Sequence, residues 1–170
     1  MQTNLKKNVL FLLGVALCLA LVPWLSSCGS VPAPEVTRAE FPFEIVYEKD
    51  GERITVADVY VCEFDGYGWN ENAGRHRQWK GAVKSTGASY VLLVEEGNLK
   101  LVCGVGSPAY YMGDPSMAGA APFTPYIYYI RTQESGGVSS GTAGIEPLLE
   151  EYKLSLVSWE FASPIENSFE

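Results

Sequence analysis

Histidine occurs once in this 170-residue chain, at His76, and cations are few: 12 Lys and Arg stand against 20 Asp and Glu, a formal net charge of -8. A lone imidazole leaves His-based catalysis and multi-His metal sites without their groups. An acidic balance gives no electrostatic hold on nucleic acid or on an anionic bilayer surface, so nucleic acid is not expected as a partner. Cysteine is scarce, at Cys18, Cys28, Cys62 and Cys103. No internal repeat is visible, and no Ser or Cys lies in a nucleophile motif such as Gly-x-Ser-x-Gly. No cofactor is expected. What is present is apolar: 47 % hydrophobic against 19 % charged residues, the composition of a chain that forms a core. The length suffices for one domain and is too short for two comfortable ones.

The first residues read as an address. Lys6 and Lys7 precede an uncharged apolar run from Val9 to Leu25, which ends in Leu25-Ser26-Ser27-Cys28. A basic start, an apolar centre and small residues at the end form the layout of a secretory signal. The run alone is also near the lower limit for a membrane-spanning helix. Leu-Ser-Ser-Cys resembles the lipobox of bacterial lipoproteins, and the resemblance covers residues 1–28. It implies that residues 1–27 are a signal peptide and that Cys28 is acylated and becomes the mature N-terminus. The protein would then be extracytoplasmic and lipid-anchored to a bacterial membrane, its membrane partner reached through Cys28. Two acyl chains make such an anchor stable where one is marginal. Residues 28–40, with Pro32 and Pro34, read as a semi-stiff tether, and residues 41–170 as a single domain.

Within that domain the pattern is that of strands. Phe43–Tyr47 and Ile54–Phe64 flank Asp50-Gly51, a strong signal for a two-residue hairpin turn. The register that follows sets Lys49 against Glu52, Glu48 against Arg53, Tyr47 against Ile54 and Ile45 against Val56. Tyr90–Val94 and Leu99–Cys103 form a second hairpin; with Gly97-Asn98 as its loop, Val94 meets Leu101, Glu95 meets Lys100 and Leu92 meets Cys103. Trp79–Val83, Tyr126–Arg131 and Leu154–Phe161 read as further strands. Gly136–Gly144 is rich in Gly and Ser and reads as mobile. Pro147 suits the first turn of a short helix, with Glu150 and Glu151 early, Lys153 late, and Leu148, Leu149 and Tyr152 on its buried side. The expectation is a mostly-β domain: a compact antiparallel sandwich or barrel-like sheet with one short helix near the C-terminus.

Few residues invite chemistry. Cys62 and Cys103 fall on apolar strand faces; in an exported protein a disulfide between them is allowed, and two buried free thiols are the alternative. His76, between Arg75 and Arg77, reads as a solvated loop residue rather than a base. Asp65 to Asn70 fails as a calcium loop, because Tyr67 and Trp69 occupy positions that need oxygen ligands. Two long loops carry aromatics: Asp65–Gln78 with Tyr67 and Trp69, and Gly104–Pro125 with Tyr110, Tyr111 and Asp114. These five residues are the candidate ligand site, since exposed rings beside glycines form stacking platforms for sugars or peptide side chains. The alternative is that the rings fold back to cap the sheet. The sequence therefore carries three functional expectations. The first is a non-enzymatic lipoprotein binding module with a glycan or protein ligand. The others are a cell-wall or glycan hydrolase using paired carboxylates, and a scaffold subunit of an exported complex that makes contact through Tyr126–Arg131.

Overall fold

A computed structural model describes residues 31–72 and 74–170. The proposed signal peptide and Cys28 lie outside the described residues. The chain divides into two units, one formed by Ala33–Tyr67 with Arg77–Glu170, the other including Gly68–His76.

Eight strands dominate the described residues: β1 (Arg38–Lys49), β2 (Glu52–Asn70), β3 (Gly74–Val83), β4 (Tyr90–Glu96), β5 (Leu99–Gly104), β6 (Ile127–Thr132), β7 (Val138–Gly141) and β8 (Leu154–Phe161). Among the described residues two short helices, α1 (Pro108–Tyr111) and α2 (Glu146–Glu151), and a 3-10 turn at Pro115–Met117 interrupt them. One sheet runs β3-β2-β1-β8 and the other β4-β5-β6-β7. The core draws on both: Ile45 and Cys62 from the first sheet meet Leu101 and Cys103 from the second, all wholly buried. The expected mostly-β antiparallel sandwich is the fold. Each fully buried Val, Leu or Ile contributes about 1.5–3 kcal/mol, so this shared interior is what joins the layers.

The first hairpin has the register that its turn demands. Lys49 pairs with Glu52, Glu48 with Arg53, Tyr47 with Ile54 and Ile45 with Val56. Asp50 and Gly51 both hold positive φ, 54° and 83°, as a type I′ turn requires. The second hairpin pairs Val94 with Leu101 and Glu95 with Lys100, but a bulge between Leu92 and Val94 sets Leu92 against Val102 rather than Cys103. The extra residue exchanges faces, so Leu93 enters the core and Leu92 is left 42 % exposed.

Several expectations need correction. Asp65–Gln78 is not a long loop: β2 continues to Asn70 and β3 starts at Gly74, so His76 lies on a strand. The Gly104–Pro125 segment holds α1 and the 3-10 turn. Gly136–Gly144 contains β7, whose Ser140 and Ser139 pair with Ile130 and Arg131. The helix after Ile145 has Glu146 in its first turn and ends at Glu151, so Glu150 and Glu151 close it rather than open it. Lys153 lies beyond it at φ 44°. Leu148, Leu149 and Tyr152 do pack on the core.

The segment read as a tether is partly structured as well. Ala33 and Glu170 exchange backbone hydrogen bonds of 2.8 and 3.0 Å, and the Glu35 N–H donates to the Ser168 carbonyl at 2.9 Å. Pro34, bridged to Phe169, sits between those donors, where its missing N–H costs nothing. Asn167 completes the clasp: its amide nitrogen donates to the Val36 and Met112 carbonyls, and its oxygen accepts from the Val36 N–H.

Candidate functional site

Asp114 is the one buried charged or polar residue among those described, at 4 % exposure. Oδ2 accepts from Arg77 Nε at 2.6 Å and from Trp79 Nε1 at 2.8 Å; Oδ1 accepts from Arg77 Nη2 at 3.1 Å and from the Ser116 N–H at 2.9 Å. A carboxylate offers about four lone pairs, and all are taken. Burial opposes the charge, but these donors prevail and hold the Asp114 carboxyl well below its ordinary range. Arg77 in turn lies over the Phe169 ring, 4.5 Å from its centre. β3 supplies Arg77 and Trp79 on one face because they are two residues apart, and Asp114 caps the 3-10 turn that faces them. This carboxylate is spent on holding the Trp79 indole and the C-terminal clasp, and none of it is left for a ligand.

Tyr111 is also interior. Its ring packs 4.9 Å from Phe41 and 5.7 Å from Tyr60, and its hydroxyl donates to the Val105 carbonyl at 3.0 Å. Burial pushes the Tyr111 and Tyr60 hydroxyls upward in pKa. Tyr110, half-buried, makes an edge contact with Tyr111. Tyr67 packs edge-on against Phe64. Trp69, in the other unit, is 71 % exposed. Of the five candidates, Tyr110, Tyr111 and Asp114 are thus drawn into packing; the alternative in which the rings fold back fits Tyr110 and Tyr111 but not the exposed Trp69. Cys62 and Cys103 are buried free thiols and form no disulfide; burial pushes both up to about 12.

A different set of rings lines a groove, with Tyr126 exposed, Trp79, Phe123 and Tyr128 half-buried, and Tyr60 buried beneath them. Tyr60, Trp79, Phe123, Tyr126 and Tyr128 line a groove of about 590 Å³ whose floor includes Gly81, Gly104 and Gly106. Two of these glycines are necessary. A Cβ at Gly81 would overlap the Tyr60 hydroxyl, and one at Gly106 would meet the Tyr111 and Phe123 rings. The Tyr60 hydroxyl donates to the Gly106 carbonyl at 3.3 Å, which fixes that wall. Phe123 stands 6.4 Å from Tyr126, which stands 5.7 Å from Tyr128. Tyr126 is 52 % exposed. Among the described residues no charged side chain lines the groove; Ser89 and Ser107 add hydroxyls to those of the tyrosines.

Carboxylate pairs occur elsewhere. Glu44 and Glu160 line one shallow depression, and Glu95 and Glu134 another, where Lys100 pairs with Glu95 at 3.0 Å. All four are exposed, and neither pair shares the aromatic groove. Among the described residues no three His, Cys, Asp or Glu gather as a metal site would need. Sequence reading missed the groove because its rings come from β2, β3, β6 and a loop. The available signal was the spacing of Tyr126 and Tyr128, which share a face while Ile127 turns inward. Comparison with protein-family models, with curated proteins and with solved structures finds no match for this chain.

Proposed function

We propose that the protein is a lipid-anchored extracytoplasmic lipoprotein acting as a non-enzymatic binding module, and that the aromatic groove takes a neutral glycan. One observation carries the reading: a groove walled by the exposed Tyr126 and the half-buried Trp79, Phe123 and Tyr128, with no charged side chain among the described residues that line it, on a chain whose net charge is -8. A sugar presents C–H faces to rings and hydroxyls to tyrosine and serine, so its needs match this lining. An ionic ligand would find no counter-charge there. The anchor rests on the likeness of Leu25-Ser26-Ser27-Cys28 to a lipobox.

The test is a glycan-binding screen, peptidoglycan fragments included, with the full-length protein in neutral detergent. Tyr126→Ala should weaken binding of any hit by about tenfold, the loss of one stacking ring. Tyr126 is exposed, so the variant keeps its fold. Trp69→Ala, tested beside it, should bind as wild type. Hits that are indifferent to Tyr126 count against the groove. The anchor is tested separately. Cells fed labelled palmitate should label the wild-type protein, and Cys28→Ala should remove the label and release the protein from membranes. Label retained on Cys28→Ala would end the lipoprotein reading.

A further inference from the structure

β8 is an edge of its sheet. The Ala162 N–H donates to the Pro42 carbonyl at 3.2 Å, so Ala162, Glu160 and Ser158 turn their backbone groups toward β1, and Trp159 and Phe161 turn theirs outward. Among the described residues nothing pairs with those outward groups. Trp159 is the partner of Ile45 on the core-facing side, yet it is 45 % exposed. With Tyr110, Pro122, Phe123 and Phe161 it walls an uncharged cleft of about 220 Å³. On the opposite face of β8, Glu160 stands directly across from Glu44. Both are exposed, and no ion pair reaches either among the described residues. Like charges so placed destabilise a ladder.

We propose that this edge binds an extended cationic peptide segment as an added strand of the first sheet. The backbone of the segment pairs with Trp159 and Phe161. Alternate side chains then fall on opposite faces: Lys or Arg beside Glu160 and Glu44, an aromatic or aliphatic residue in the cleft. Charge selects the occupant. A second copy of this acidic chain would bring its own Glu160 to the same edge, where repulsion opposes pairing. A cationic strand instead relieves the Glu44–Glu160 pair.

The probe is a fluorescent Ac-Lys-Val-Lys-Phe-Lys-Val-Lys-amide titrated against the full-length protein in neutral detergent. Saturable binding is expected in roughly the micromolar range, the affinity of small transient contacts. Glu160→Gln should weaken it about threefold and Glu160→Lys about tenfold, the latter gaining affinity for the Glu-Val-Glu-Phe-Glu-Val-Glu analogue. Methylating alternate backbone nitrogens of the probe, with charge intact, should abolish binding, because it removes the strand hydrogen bonds. Glu160 is exposed and its change relieves the repulsion from Glu44, so its variants should melt no lower than wild type. Equal binding of the methylated probe would reduce the effect to diffuse attraction and overturn the proposal. So would an unchanged affinity in Glu160→Lys, or a wild-type dimer that Trp159→Ala dissolves, which would assign the edge to a second copy.

Discussion

Asp114→Ala is expected to lower stability by about 3–5 kcal/mol, because it removes the carboxylate of a largely buried ion pair with Arg77 together with its bonds to the Trp79 indole and the Ser116 N–H. Against a typical domain stability of about 5–15 kcal/mol, that is a loss of roughly a fifth or more. It should appear as a fall in melting temperature of roughly 10 °C. Arg77 is only 10 % exposed at its side chain, so water cannot replace the carboxylate cheaply. The same pair sets an acid dependence. The folded Asp114 carboxyl titrates below its ordinary value of 3.8. Its contribution is therefore fully present above that value and is lost as pH falls from there toward the folded pKa. Urea midpoints of wild type and Asp114→Asn, measured between pH 7 and pH 2, should converge as the medium acidifies. Parallel curves would show that the ion pair carries no such linkage.

Tyr111→Ala should cost about as much by a different route. Removing a fully buried ring from the contacts with Phe41, Tyr60 and Tyr110 opens a cavity, for which large-to-small aromatic substitutions cost about 3–5 kcal/mol. The Val105 carbonyl also loses its donor. Tyr111→Phe keeps the ring and forfeits the hydrogen bond alone, about 1 kcal/mol. Thermal melts of the two variants should differ accordingly. Any binding lost in Tyr111→Ala would therefore report a damaged fold and not a damaged ligand contact. A small effect of Tyr111→Ala, under about 1 kcal/mol, would contradict the burial described for this ring.

How much of this was legible beforehand depended on the range over which each feature is encoded. The first hairpin was readable because turn chemistry and apolar alternation, from Tyr47 to Ile54, agree within a few residues. The second was readable except at its bulge. Val91-Leu92-Leu93-Val94 is apolar throughout, so no alternation marks where the extra residue sits. Gly66, Gly68 and Gly74 looked like loop residues although they belong to the paired ends of β2 and β3. The site was harder still. Asp114 is acidic and follows Tyr110 and Tyr111 by a few residues, as a ligand residue would, but its role is decided by Arg77 and Trp79, far away in sequence. The groove joins Tyr60, Trp79, Phe123 and Tyr126 only through sheet packing, and local spacing does not record that.

The short ladder between residues 33–36 and 167–170 has a mechanical consequence. Ala33 and Glu170 lie at the same end of it, so a pull applied upstream of Ala33 loads the bonds one after another, beginning with that pair. The junction peels like a zipper instead of resisting in shear. Strain applied upstream of Ala33 would open these few bonds first, leaving the Arg77–Asp114 pair behind them unloaded until Asn167 lets go.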